Sequence, residues 1–449
     1  MNILAPQAAL TAGVLGALGL GLLRRPSATF VRALALAAPL AALWILKSAQ
    51  PGTLPPLAFA DWKGICWQVV ILFGALPLAL LSSGDDVEAA LFLGSVLGMS
   101  LLAVAGNLVM LFVGLEFMSL PAYLLVARAG DGDGRLRLEA AVKYFFAGAL
   151  GGALFLLGLT LYYAQTRSFG ATLQPLGFQG QAGLALMAAG ALFKIGAVPL
   201  HWWLPDVYSA AAPEVAGFLA TSMKAAAVLF LMRIVELAPD AAFASALPGL
   251  GALTALVGAF LALRQKRLQR LLAYLSLSHA GLLILGVGAW SALGRAPAAT
   301  ASLLFYLGAD AQMSNGAFAF VKASGASTRV ELRGFAVRRP GLAAAFGALL
   351  FALAGVPPTG GFVAELLIFW QAVHAALVLP IVLAAVAALV SLGLCLGLVR
   401  DLYFEESAGT APAEGGAPAR VAVLVCALGA LILGAAPLLL RGLTGSVWR

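Results

Sequence analysis

Eight ionisable side chains sit inside sequence that is otherwise apolar. Glu116 interrupts NLVMLFVGLEFMSLPAYLL, and Lys143 stands one turn into a helix opened by Glu139. Lys194 and His201 fall in FKIGAVPLHWWLPD, before and after Pro199. Lys224 lies in FLATSMKAAAVLFLM and His279 in LLAYLSLSHAGLLIL. Asp310 belongs to FYLGADAQMSNGAF, beside Gln312, Ser314 and Asn315, and Glu365 to LAGVPPTGGFVAELLIF. A charge at the centre of a bilayer costs about 2.5–3.5 kcal/mol on insertion scales, so such groups are usually paired, hydrated and functional. An acid beside a lysine favours the charged form of each, and desolvation opposes it. A buried lysine is therefore poised to release its proton when its partner withdraws. Histidine suits the middle of a path because it titrates near neutrality. The row implies proton relay. Glu116 pairs with Lys194, Lys224 and His279 pass the proton on, Glu365 serves the exit, and Lys143, His201 and Asp310 support them. Taken singly, Lys143 fits a side chain snorkelling to an interface, His279 a packing histidine, and Asp310 a local cap or pair. Arg233, near a helix end, reads as a side chain snorkelling to the interface, and His374, at a helix start, as structural. A static fold gains nothing from spreading buried charges over successive helices.

The elements that must position these groups are membrane helices. The chain has 449 residues, of which 62% are hydrophobic and 10% charged, against about a quarter charged in soluble domains. So little charge cannot cover a soluble surface, and the bilayer is the solvent for most of the chain. Apolar runs long enough to span it number about fourteen: 4–23, 29–47, 62–82, 87–105, 107–128, 139–163, 182–200, 213–237, 246–264, 269–291, 297–321, 340–369, 373–400 and 420–441. The fold expected is an all-α polytopic bundle. Proline breaks two of the runs, at Pro199 and at Pro357–Pro358. Inside a bilayer the freed backbone groups must be covered by protein or water. Two broken helices in corresponding positions point to inverted repeats around a mid-membrane ion site. The organisation expected is residues 1–84 as three leading helices, 85–240 and 241–400 as the repeats, and 401–449 as a loop and last helix.

Lysine and arginine cluster in alternate loops: Arg24/Arg25, Arg128/Arg135/Arg137, Arg264/Lys266/Arg267, Arg329/Arg333/Arg338/Arg339 and Arg400/Arg420. That bias puts these loops in the cytoplasm and both termini in the periplasm. The formal charge of +8 reflects this orientation rather than nucleic-acid binding. The tryptophans Trp62, Trp67, Trp202, Trp203, Trp290 and Trp370 mostly flank spans, as interfacial belts do. Cys66, Cys395 and Cys426 lack any CxxC or nearby histidine, so no disulfide, cluster or zinc site is expected. Nucleotide loops and HExxH are absent, and the glycine runs read as helix packing.

Several stretches resemble a known family, the antiporter-like membrane subunits of complex I (NADH–quinone oxidoreductase), related to Mrp-type cation/proton antiporters. They are GLEFMSLPAYLL, EAAVKYFFAGALGGALFLLGLTLYYAQT, FKIGAVPLHWWLPDVY, RLLAYLSLSHAGLL and LAGVPPTGGF. PDVY followed by AGFLATSMKAA is similar to the N type in particular. The resemblance covers roughly residues 85–400. It implies two inverted five-helix repeats. It also implies Glu116 as the helix-five glutamate, Lys194 as its lysine partner, Lys143 and Lys224 as further lysines, and His279 as the central-axis histidine. The implied partners are M-type, K-type and J/A/H-type membrane subunits and the lipid of a bacterial inner membrane. Flavin and iron–sulfur clusters would lie in a peripheral arm and quinone at a neighbouring subunit, with no cofactor in this chain. The pattern also departs. GFVAE supplies Glu365 where the N type has lysine in GFxGK, SAAAPEV replaces GAPTPV, and Asp310 has no counterpart. These departures leave an Mrp-type sodium/proton antiporter, or a membrane-bound hydrogenase-like complex, as alternatives. The lysine-rich row favours protons, because sodium prefers oxygen ligands.

Overall fold

The computed structural model describes residues 3–22, 27–55, 58–128, 134–171, 176–237, 242–406 and 415–435. Arg24, Arg25, Arg441 and Arg449 lie outside these, as does the expected flexible stretch 407–414. The chain is helical almost throughout. The helices are α1 (Ala5–Gly21), α2 (Ala28–Leu46), α3 (Trp62–Leu81), α4 (Asp86–Ala103), α5 (Leu108–Arg128), α6 (Gly134–Thr166), α7 (Phe178–Ile195), α8 (Leu204–Ala210), α9 (Pro213–Phe218), α10 (Lys224–Leu237), α11 (Ala242–Leu263), α12 (Leu268–Ala292), α13 (Pro297–Ser324), α14 (Phe335–Arg338), α15 (Pro340–Leu353), α16 (Gly360–His374), α17 (Val378–Tyr403) and α18 (Ala417–Ala435). Ten described helices, counting α9–α10 as one, are long and apolar enough to cross a bilayer, and α1 and α15 are shorter apolar helices. Every expected span meets a helix, but the run 340–369 is two helices, α15 and α16, parted by the proline break. α6 begins at Gly134, so Lys143 stands more than two turns into its helix, not one.

One element was not expected. β1 (Gly52–Leu54) and β2 (Ala58–Ala60) pair antiparallel as a small hairpin between α2 and α3. Another surprise is the π turn Leu219–Met223, which joins α9 to α10 within an otherwise continuous span.

Two compact units emerge. One comprises Met1–Gly196 with Ala210–Ala244, the other Ala197–Ser209 with Ser245–Arg449. In the first unit, α6 and α7 run together along glycines spaced by seven. A Cβ on Gly183 would lie 2.6 Å from the Gly158 carbonyl oxygen, and one on Gly190 would lie 2.7 Å from that of Gly151. Small residues let membrane helices approach this closely, which is where their packing energy comes from. A buried tie joins α1, α3 and α4: Gln7 Nε2 donates to Gln68 Oε1 (3.0 Å) and to Ser100 Oγ (2.9 Å). Such interhelical bonds contribute about 0.6 kcal/mol each on average, up to ~2. α3 also holds the π turn, with Trp67 Nε1 donating to Ala225 O at 2.8 Å and Ser222 Oγ to Ile71 O at 2.9 Å. Trp67 is fully buried, so it is core rather than interfacial belt.

In the second unit, α11 and α12 repeat the glycine seam. A Cβ on Gly251 would come 2.7 Å from the Gly281 carbonyl oxygen. α13 lies at the centre, packed against α12, α15, α16 and α18. Trp290 is buried here too, donating to Thr300 Oγ1 at 2.9 Å, and is likewise no belt residue.

Candidate functional site

Both proline segments leave helical geometry. α7 stops at Ile195 because Gly196 takes a left-handed turn (φ 85°), and the chain stays non-helical until α8. Pro199 sits in that gap. The freed Val198 N–H is taken up by Thr254 Oγ1 at 3.1 Å, which covers the broken backbone with protein. The segment after the break is fixed within the second unit by the Asp206–Arg270 ion pair (2.8 Å). α15 ends at Leu353, and Gly355 turns left-handed (φ 63°). Pro357 and Pro358 follow, and Thr359 caps α16 by accepting from Phe362 N. Both breaks contain a cis prolyl bond, Val198–Pro199 and Pro357–Pro358.

Lys194 is the penultimate residue of α7. Its Nζ is buried and has no hydrogen-bond partner. It lies instead over two aromatic faces, 5.0 Å from the Tyr123 ring and 4.7 Å from the Tyr144 ring. Glu116, on α5, is within electrostatic reach of Lys194 but makes no ion pair with it. A small cavity of about 10 Å³, room for about one water, is lined by Glu116, Ser119, Tyr123, Phe193 and Lys194. Glycines clear the space. A Cβ on Gly152 would stand 2.9 Å from Glu116 Oε1. The glycine runs of α6 therefore do two jobs, packing α7 on one side and making room for the acid on the other.

Lys224 is buried and opens α10 directly after the π turn. Lys143 is partly exposed at the protein surface and pairs with Glu139 at 2.8 Å, one turn back on α6. The structure thus brings Glu116 and Lys194 together and leaves Lys143 with a different partner. Arg233 does not snorkel. Its guanidinium grips Asp61 through Nη1 (3.0 Å) and Nη2 (2.7 Å), and Glu236 and Lys63 complete the cluster. Burial raises the Asp61 carboxyl, but the Arg233 bonds and charge, Lys63 and the Gly64 N–H outweigh it and hold the group below its ordinary value.

In the second unit His279 is buried on α12, and its Nδ1 shares a 2.7 Å hydrogen bond with the Tyr306 hydroxyl. Tyr306 is in the field of both Glu365 and Asp310. Asp310, one turn further along α13, accepts from Ser314 Oγ at 2.8 Å. Glu365 is buried on α16, its carboxyl against Gly355, where a Cβ would approach the carboxyl carbon to 2.9 Å. His201 lies in the first break, half-buried, with Nδ1 enclosed and unpartnered. Cys66, Cys395 and Cys426 are free thiols.

Tyr123, Tyr144 and Tyr306 were not among the expected groups. A signal for two of them was present in the sequence. Tyr123 follows Glu116 by seven residues, and Tyr306 precedes Asp310 by four, so Tyr123 shares a helix face with a half-buried acid and Tyr306 with a buried one. Nothing in the sequence marked Tyr144 beyond its place after Lys143.

Residues 105–391 match the family described as NADH:quinone oxidoreductase/Mrp antiporter, TM, an interval that holds every candidate group from Glu116 to Glu365. NADH-quinone oxidoreductase subunit N 1 of Solidesulfovibrio magneticus is 35% identical, the match covering 97% of this chain and 96% of the relative. Subunit N of Desulfovibrio desulfuricans is 33% identical, covering 84% of this chain and 82% of its own. Among solved structures, a chain of respiratory complex I from Thermus thermophilus superimposes with a TM-score of 0.86 at 33% identity, covering 97% of this chain and 98% of that one. A chain of the Mrp complex from Dietzia sp. shares the fold, with a TM-score of 0.84 at 21% identity, covering 100% of this chain and 97% of that one.

Proposed function

Because this chain belongs to the NADH:quinone oxidoreductase/Mrp antiporter transmembrane family, we propose that it is a proton-translocating, antiporter-like subunit of the N type in a respiratory complex I. Electron transfer from NADH to quinone belongs to partner subunits that carry flavin and iron–sulfur clusters. This chain contributes the proton path. Glu116, Lys194 and Lys224 act in the first unit, His279 and Glu365 in the second, with Lys143, His201 and Asp310 in support. Its neighbours are the M-type, K-type and J/A/H-type membrane subunits. It sits in a bacterial inner membrane with both termini periplasmic, as the placement of Lys and Arg suggests.

The observation that carries this reading is the Lys194 ammonium. It is buried at a helix break, bonded to nothing, and within reach of an acid that it does not touch. A structural lysine at that depth would be neutralised by a direct ion pair. An ammonium left between partners is the arrangement a relay needs, because a small movement toward or away from Glu116 changes which group holds the proton. The two helix breaks fit the same reading, since broken membrane helices mark ion sites near the midplane.

The test is Lys194→Met in the purified native assembly, reconstituted in vesicles with a pH-sensitive dye. NADH-driven proton uptake should collapse while the assembly stays intact on a native gel. Unchanged uptake per NADH sinks the assignment. Proton movement driven by a sodium gradient without NADH would instead place the chain with the antiporters.

A further inference from the structure

Tyr123 and Tyr144 meet edge to face, with ring centroids 4.6 Å apart and planes at 85°. Both are buried. The Lys194 Nζ lies within about 6 Å of each centroid, the range in which a ring quadrupole attracts a cation. That attraction strengthens when the cation is buried, as the Lys194 Nζ is here. The hydroxyl of Tyr144 points the other way and meets Met223 Sδ at 3.7 Å, one residue before Lys224. Tyr144 therefore touches the Lys194 head with its ring and the end of the π turn with its oxygen. The Tyr123 hydroxyl packs against Gly148, a position where any side chain would intrude.

We infer that Tyr123 and Tyr144 form an aromatic seat for the Lys194 ammonium, a second resting place that competes with Glu116 and so sets how readily the lysine leaves the acid. The inference rests on the proton-relay reading and adds two positioning residues to it. The seat binds a charged lysine better than a neutral one, because the quadrupole acts on charge. In the seat Lys194 faces Tyr144, which adjoins the turn leading into Lys224. The Glu116 side faces the small cavity. The lysine thus has two stations, and its charge decides the balance between them.

The experiment compares Tyr144→Phe, Tyr144→Leu and a fluorinated phenylalanine series at position 144, each in the native assembly in vesicles. Assembly is checked on a native gel. Fluorines drain the ring face of negative potential with almost no change of shape, so a packing role does not respond to them. Proton uptake per NADH should stay near wild type in Tyr144→Phe, fall stepwise with each fluorine, and drop about thirty-fold in Tyr144→Leu, a size typical of a buried cation–π contact. Tyr123→Leu should act in the same direction. Uptake that is flat across the fluorine series, or equal in the Phe and Leu variants, overturns the seat. Lys194→Met in the same vesicles separates the two ideas. If it stops uptake while the fluorine series is flat, only the seat fails; if uptake survives it, the relay reading fails as well.

Discussion

The two units arrange their buried charges differently. Each has a helix pair zipped along glycines, α6 with α7 and α11 with α12, while the residues of both proline breaks, Pro199 and Pro357–Pro358, fall in the second. The first unit presents a cation and an acid, Lys194 and Glu116, with aromatic faces around the cation and no bond between the two. The second presents acids and an imidazole with explicit bonds: His279 to Tyr306, and Asp310 to Ser314. Glu365 follows the Pro357–Pro358 break, whereas Lys194 precedes the Pro199 break. The glycine seam recurs and the charges do not. On the proposed relay, the first site holds a mobile ammonium and the second a proton shared among fixed acceptors.

The largest expected effects test whether the scaffolds are equivalent. Gly183→Leu puts a side chain into the Gly158 carbonyl, and Gly281→Leu does the same to that of Gly251. Backbone cannot yield as a side chain does, so each should cost about 3 kcal/mol or more and abolish recovery of the folded assembly from membranes. Gly249→Ala and Gly393→Ala meet nothing within 4 Å and should leave that recovery unchanged. Recovery of one seam variant at wild-type level would break the equivalence of the two units.

The next effect concerns the charges. Glu365→Lys puts a cation where the carboxyl acts on Tyr306, the hydrogen-bond partner of His279. Proton uptake in vesicles should fall at least about ten-fold, equivalent to ~1.4 kcal/mol on the limiting step. Glu365→Gln, which keeps the shape but cannot give up or take a proton, should fall comparably. If the lysine variant pumps as well as wild type, the sign of the second site is irrelevant and the contrast between the units fails.

The smallest effect is acid sensitivity. Asp61 has a carboxyl held below its ordinary value of 3.8. A group depressed in the folded state stabilises it above that ordinary value, and the stabilisation is lost as pH falls through the folded one. Wild type should lose thermal stability as pH drops below about 4. Asp61→Asn should begin less stable and show a flatter acid limb in a melting series. A parallel acid limb in both proteins would remove Asp61 from the account.

Much of the scaffold was legible because bilayer length and proline are local signals. The fourteen apolar runs each found a helix, and Pro199, Pro357 and Pro358 lie where the chain leaves helical geometry. Local signals do not say which face of a helix meets which neighbour. Lys143 and Lys194 look alike in sequence, yet one pairs with Glu139 at the surface and the other sits between two rings. Arg233 resembled a snorkelling residue because Asp61, its partner, is 172 positions away in the chain. Trp67 and Trp290 looked interfacial from their flanking positions and proved buried, each held by a hydrogen bond to another helix. The hairpin Gly52–Ala60 escaped notice because its strands are three residues each, too short for an alternating pattern to register.

The five-residue turn Leu219–Met223 works as a phase shifter. An α-helix advances about 100° per residue, and one wide turn amounts to a single residue slipped into that count. Everything from Lys224 to Leu237 is therefore rotated by about 100° from the bearing that Pro213–Phe218 would have dictated, with Trp67 and Ser222 pinning the new setting. The compass heading of the second lysine is written in backbone winding, not in the identity of any side chain.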